Sequence, residues 1–133
     1  MKIEFTKSGW LLLMSHEDYS VVYGSFNEVI SGFFLAEFEK KIGVTRDYLE
    51  NLCNFVAEQR VGYKIGSEEN PIDMQTVKLK AADLEYLANV FQETWNYFSK
   101  MAEAEMRLRL DCSHGQYLTM LNQLKAALGK EAK

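Results

Sequence analysis

Residues 83–110 place the strongest constraint on how this chain folds, because they carry one uninterrupted helical pattern. Apolar side chains recur every three or four residues and form a stripe along one side of a helix. This first stripe contains Leu84, Leu87, Ala88, Phe91, Trp95, Phe98, Ala102 and Met106. A second, adjacent stripe contains Tyr86, Val90, Tyr97, Met101 and Leu108. The pattern therefore predicts one long helix that is apolar over more than half of its circumference.

The second stripe has two interpretations. A helix on the surface of a domain needs only one apolar stripe to cover the core, so the second must contact another part of the chain or another molecule. Aromatic and methionine side chains are enriched in the cores of protein interfaces. We therefore take Tyr86, Val90, Tyr97, Met101 and Leu108 as candidate self-association residues of a homodimer, with burial inside the monomer as the alternative.

Length and charge exclude several classes of protein. The chain has 133 residues, a net charge of −4 and a hydrophobic content of 47%. This length predicts a single domain over residues 1–133, with enough apolar residues for a continuous core. Nucleic-acid binding is not expected, because phosphate recognition needs concentrated positive charge. A basic protein partner is compatible with the acidic balance.

The cysteines and the lengths of the apolar runs indicate the cellular compartment of the protein. Cys53 and Cys112 are far apart and lack Cys-x-x-Cys spacing, which favours reduced thiols. The apolar run at residues 10–14 is too short for the core of a signal peptide, and no segment reaches the length of a transmembrane helix. We therefore expect a cytoplasmic protein that does not bind membranes.

Several local patterns predict individual elements. Residues 2–6 alternate in polarity and residues 10–14 are apolar, which predicts a β-hairpin around the turn sequence Lys7-Ser8-Gly9. Thr45 is a helix cap for a predicted helix over residues 46–60. Ser113 and Gln116 form a capping box that predicts the start of a last helix.

Residues 19–41 are ambiguous, because the first of them fit both a helical stripe and a strand. Ser15 with Asp18 and Ser25 with Glu28 are competing capping boxes, and the second matches the preferred form more closely. Gly24 would also weaken the interior of a helix. We therefore predict a third strand at residues 19–23 and a helix from about residue 26 to residue 41.

Residues 63–73 form the clearest predicted loop, since they combine glycine, serine, asparagine and the only proline. The charged residues of this loop after Lys64 are all acidic, and residues 74–79 that follow are a strand candidate. We take this acidic loop, together with two acidic residues of another loop, as the candidate partner-binding site. Its residues are Glu17, Asp18, Glu68, Glu69 and Asp73.

These elements predict an α+β, mostly helical fold. A small antiparallel N-terminal β-sheet packs on a helical bundle, and the 83–110 helix is the long central helix of that bundle.

Catalytic and metal-binding patterns are weak throughout the chain. Asp111, Cys112 and His114 bring a nucleophile and a base close in sequence, but a turn and a helix cap explain the same residues. Cys112 and His114 are also only two nearby metal ligands, fewer than a zinc site needs. We predict no catalytic residues, no metal and no other cofactor.

The sequence therefore predicts a small, acidic, non-enzymatic protein that binds another protein. An inhibitor or a toxin-neutralising immunity protein that acts on a basic partner fits this description by size and charge. Two alternatives stay open. One is a homo-oligomeric structural or scaffold subunit that uses the second stripe, and the other is an enzyme that uses Cys112 and His114.

Overall fold

The structure, a computed structural model, describes residues 1–59, 61–69 and 71–131 and has an α+β fold. Its strands are β1 (Lys2–Thr6), β2 (Gly9–Ser15), β3 (Val61–Gly66) and β4 (Pro71–Leu79). Its helices are α1 (His16–Asn27), α2 (Phe38–Ile42), α3 (Arg46–Glu58), α4 (Asp83–Phe98), α5 (Glu103–Leu110) and α6 (His114–Glu131), with a π-helical turn at Glu28–Gly32. The predicted fold class, a mostly helical α+β fold with an antiparallel sheet, is confirmed.

The four strands form one antiparallel sheet in the order β1-β2-β4-β3. Successive strand residues point to opposite faces, and one face carries buried side chains. On this face Trp10, Leu12 and Met14 of β2 pair with Leu79, Val77 and Gln75 of β4. Helix α1 packs against both of these central strands, while α6 packs along β1. The main core therefore lies between this face of the sheet and the helices.

Three locally encoded features are confirmed. β1 and β2 form the predicted hairpin, in which Thr6 pairs with Gly9. Thr45 caps α3 by accepting a hydrogen bond from the Tyr48 amide at 3.1 Å. At the start of α6 the amide of Gln116 donates to Ser113 Oγ at 3.1 Å, and the amide of Ser113 donates to Gln116 Oε1 at 2.8 Å.

The predicted third strand at residues 19–23 is wrong, because these residues belong to α1. Ser15 caps that helix by accepting from the Asp18 amide at 3.1 Å, so the earlier capping box defines its start. A β-carbon on Gly24 would lie 3.0 Å from Leu110 Cδ2, which shows that the missing side chain lets α5 approach α1 closely. Tertiary packing thus outweighs the unfavourable helix propensity of this glycine.

The single long helix at residues 83–110 is also wrong, since α4 ends at Phe98 and α5 begins at Glu103. Between them Ala102 is extended, with φ −61° and ψ 145°. The break gives α5 its own direction, in which Met106 and Leu110 are buried. α5 packs against α1 through this face. The apolar content of the segment is therefore divided between two helices with different neighbours.

Residues 63–73 are not one loop. β3 and β4 form a hairpin that includes most of them, with Ile65 opposite Ile72 and Gly66 opposite Pro71. The predicted strand at residues 74–79 is confirmed as the second part of the longer β4. Pro71 is the first residue of β4, a position at which the absence of an amide proton is tolerated.

Candidate functional site

The acidic candidates lie at one end of the sheet. β2 ends at Ser15, which pairs with Met74, so the first turn of α1 and the neighbouring part of β4 are at the same end. Glu17 and Asp18 belong to that first turn rather than to a loop. Carboxylates in this position also stabilise the helix through its dipole, so these two residues have a structural role.

Two of the five acidic candidates are engaged in ion pairs. Asp18 pairs with the amino group of Met1 at 3.4 Å, and Asp73, which lies in β4, pairs with Lys64 at 3.8 Å. The other three, Glu17, Glu68 and Glu69, are exposed and form no ion pair within the part of the chain that the structure describes. We call these three residues the acidic end.

An apolar surface adjoins the acidic end. The strand residues that alternate with the buried set lie on the other face, where they are half-buried or exposed. We call this surface the open sheet face and define it by Leu11, Leu13, Ile65, Ile72 and Met74. Ile65 and Ile72 face each other across the β3–β4 hairpin and are 46% and 51% exposed. Contiguous exposed apolar side chains with a polar rim mark interaction surfaces when the patch is large, and Ile65 and Ile72 are adjacent members of the open sheet face.

Local sequence patterns do not reveal this surface. Gly66 and Pro71 are typical of a loop, so the sequence alone does not predict that Ile65 and Ile72 lie on strands. Ile72, Met74 and Thr76 nevertheless occupy every second position along β4, which is the spacing of residues on one face of a strand. The unbroken apolar run of β2 also predicts apolar residues on both faces of its strand.

The structure does not keep the second stripe as one surface. Val90 is fully buried inside the chain, so it cannot contact a second copy. Tyr86 is half-buried against Tyr48, with ring centroids 5.7 Å apart, and Met101 is half-buried against the core. Tyr97 stacks on Phe33 at a centroid distance of 4.3 Å.

Leu108 differs from the other four stripe residues, since it is 82% exposed. It lies on α5, beyond the break that separates this helix from α4. The five stripe residues therefore do not form the continuous self-association surface that one long helix would give. Leu108 is the stripe residue that is mainly exposed.

Cys112 and His114 lie at the turn between α5 and α6. Cys112 is buried, and this burial raises the pKa of its thiol to about 11. His114 packs edge-on against Trp95 at a centroid distance of 5.6 Å, and its Nε2 is buried with no hydrogen-bond partner among the described residues. A catalytic thiol needs a lowered pKa, so this arrangement favours a structural role for both side chains.

Two further observations concern metal ligands and membrane-spanning helices. In residues 1–59, 61–69 and 71–131 no three His, Cys, Asp or Glu side chains are grouped as metal ligands would be. Over the same ranges, the helices are too short or too polar to span a lipid bilayer.

These features define a class of protein by architecture: an α+β fold in which helices cover one face of a four-stranded sheet and leave the other half-exposed. Comparisons with protein-family models, curated proteins and solved structures find no match to this chain. Its function is therefore inferred from the chain's own surfaces.

Proposed function

We propose that this chain is a non-enzymatic protein-binding protein that acts on a basic protein partner, as an inhibitor or a toxin-neutralising immunity protein does. The open sheet face supplies the apolar part of the interface, and the acidic end supplies its charge. The observation that carries the proposal is the exposed Ile65–Ile72 pair on the same hairpin as Glu68 and Glu69.

The two parts of this surface have different roles in binding. Ile65 and Ile72 provide apolar area that a partner removes from water, which contributes to affinity. Unpaired carboxylates add little to folding stability, but they attract a positively charged partner and accelerate its association. The net charge of −4 also attracts a positively charged partner, over a longer distance.

The proposed location is the cytoplasm. Cys53 and Cys112 are both free thiols, a state that a reducing compartment maintains. The proposed mode of action needs no cofactor, because it consists of occupying a surface of the partner.

The experiment begins with identification of the partner and then measures its binding to defined variants. The full chain is used to purify partners from a lysate of its source cells, and each candidate is produced as a recombinant protein. Surface plasmon resonance then compares the parent protein with Ile65→Thr/Ile72→Thr and with Glu68→Gln/Glu69→Gln. The matched charge control is Glu50→Gln/Glu85→Gln, which changes two exposed carboxylates on α3 and α4.

We expect the two variants to affect different parameters. The isoleucine variant should dissociate at least tenfold faster, since it loses apolar contact. The hairpin-charge variant should associate several-fold more slowly at low salt, and this difference should vanish near 0.5 M salt, where screening is nearly complete. A partner that binds all four proteins alike, at every salt concentration, contradicts the proposal.

A further inference from the structure

A groove runs between the edge strand β1 and helix α6, on the side of the sheet opposite the open sheet face. Its volume is about 590 Å³. Ile3, Phe5 and Trp10 form its sheet side, and Gln123, Ala126 and Ala127 form its helix side. Phe5 is 61% exposed and contacts Trp10 edge-on at a centroid distance of 5.0 Å. Small alanines on one wall and an exposed aromatic ring on the other leave room for a large apolar side chain.

The backbone of β1 supplies a second recognition element. The pair Thr6–Gly9 closes a two-residue turn, which requires the backbone groups of Thr6 to point towards β2. Hydrogen bonding alternates along the strand, so Glu4 and Lys2 also bond towards β2. The amide and carbonyl groups of Ile3 and Phe5 consequently point to the outer edge of the sheet, where no strand among the described residues lies beside β1.

We propose that this groove binds an extended peptide segment of a partner protein, which adds to β1 as a fifth strand and places a large apolar side chain between Phe5 and Ala126. Backbone groups of Ile3 and Phe5 supply the hydrogen bonds, and the side chains of the groove supply selectivity. This surface is separate from the one assigned above, so the two proposals stand or fall independently.

Gln123 and Lys2 are the polar side chains among the residues that line the groove. The Oε1 atom of Gln123 is buried and has no hydrogen-bond partner within the described residues. A buried acceptor of this kind is unfavourable unless a donor reaches it. The backbone N–H of an extended peptide is a donor of the kind that this acceptor lacks.

The position of α6 argues against a second copy of this chain as the occupant. α6 packs on β1, whereas α1 packs on β2 and β4, so α6 is the helix beside the edge at which an added strand would lie. A second copy that paired through β1 would bring its own α6 to the same edge. A single extended peptide carries no such helix.

The test starts from a phage-displayed library of random twelve-residue peptides, selected on the full chain and counter-selected on Ala126→Phe. Ala126 is exposed, so a phenylalanine there fills the groove without entering the core. Fluorescence anisotropy of a labelled peptide should show at least tenfold weaker binding to Ala126→Phe. The matched control, Ala104→Phe on the exposed side of α5, should bind like the parent protein.

Two measurements then identify strand addition. Phe5→Ala removes the ring, and Phe5→Pro removes the ring and the outward N–H, so the proline variant should bind several-fold more weakly than the alanine variant. Methylation of successive peptide nitrogens should weaken binding at every second position. This peptide scan uses the parent protein and does not depend on any variant folding.

Three results overturn the proposal. The first is failure to select a peptide that responds to Ala126→Phe, and the second is a methylation pattern that repeats every three or four residues, as a bound helix gives. The third is a dimer, measured by light scattering, that Ala126→Phe dissociates, because the occupant is then a second copy of the chain.

Discussion

Arg109 on α5 donates two hydrogen bonds to the carboxylate of Glu28, one of them from Nε to Oε2 at 3.1 Å. The same guanidinium donates to the carbonyl of Gly32 at 3.0 Å and lies 4.9 Å from the centre of the Phe98 ring. A β-carbon on Gly32 would collide with the Glu28 carboxylate, so the glycine leaves space for the pair. This ion pair joins the π-helical turn to the part of the chain that follows the break after α4.

We expect Arg109→Met to lower the free energy of unfolding by about 2 kcal/mol, the scale of losing charged hydrogen bonds while one partner stays largely buried. Methionine keeps much of the apolar length, so the change reports mainly on the guanidinium. Urea denaturation followed by circular dichroism measures it.

The control for this prediction is Lys40→Met, which removes an exposed ion pair between Lys40 and Glu37 at 3.9 Å. Such a pair contributes little because water and salt screen it, so the loss should stay below about 0.5 kcal/mol. Equal losses in the two variants would show that burial of the Arg109 pair adds nothing to stability.

The elements that could be predicted from the sequence are those encoded within a few residues. The reciprocal bonds of Ser113 and Gln116 need only a three-residue spacing, and Thr45 caps α3 in the same local way. The β1–β2 hairpin likewise follows from alternation around a short turn. In these cases local chemistry and the tertiary structure favour the same conformation.

The remaining elements depend on contacts between distant residues. Gly24 is unfavourable in a helix considered alone, and only the approach of Leu110 explains its place in α1. The break after Phe98 orients α5 towards α1, although the apolar pattern continues through it. For the candidate site, the acidic residues could be found by composition. The open sheet face could not, because it requires the pairing of β3 with β4.

The two buried thiols predict a dependence of stability on pH. Burial raises the pKa of Cys53 and of Cys112 to about 11, from an ordinary value of 9.0. Above about pH 9 the unfolded chain therefore loses thiol protons that the folded chain retains. The stabilisation is complete below pH 9 and decreases as the pH rises to 11, by up to about 1.4 kcal/mol per pH unit for each thiol.

Urea denaturation at about pH 8 and about pH 10 checks this expectation. Between these values the parent protein should lose about 2 kcal/mol more than Cys53→Ala/Cys112→Ala does. All other ionisable residues are identical in the two proteins, so their contribution cancels in the comparison. An identical loss in the parent and the double variant contradicts the raised thiol pKa values.

The side chain of Gln59 extends the hydrogen bonding to β4 beyond the end of β3. β3 begins at Val61 opposite Thr76, and the Gln59 amide beyond it donates to the carbonyl of Lys78 at 2.6 Å. Gln59 Oε1 also accepts from the Lys78 amide at 2.8 Å. Gln59→Ala should therefore lower the free energy of unfolding by about 1 kcal/mol and accelerate hydrogen exchange at the Lys78 amide.

Gln59→Glu makes this prediction more specific. The carboxylate keeps the acceptor for the Lys78 amide but places a second acceptor against the Lys78 carbonyl, so the destabilisation should equal or exceed that of Gln59→Ala. Gln92→Ala removes a single exposed bond to Asn96, at 2.9 Å, and should change stability by less than about 0.5 kcal/mol. A Gln59→Ala protein with unchanged stability and exchange would show that the bonds to Lys78 do not hold this edge.

Leu108 and Val90 separate the two interpretations of the second stripe. Val90 is fully buried, so Val90→Glu should place an unpaired carboxylate in the core at a cost of several kcal/mol, comparable with the stability of a whole domain. Leu108 is 82% exposed, so Leu108→Glu should change the free energy of unfolding by less than about 0.5 kcal/mol. Light scattering should also give Leu108→Glu the same mass as the parent protein, because one exposed leucine is far smaller than a stable dimer interface. If the variant stays folded but has half the parent mass, Leu108 belongs to a self-association surface, and the homo-oligomeric alternative is the better description of this chain.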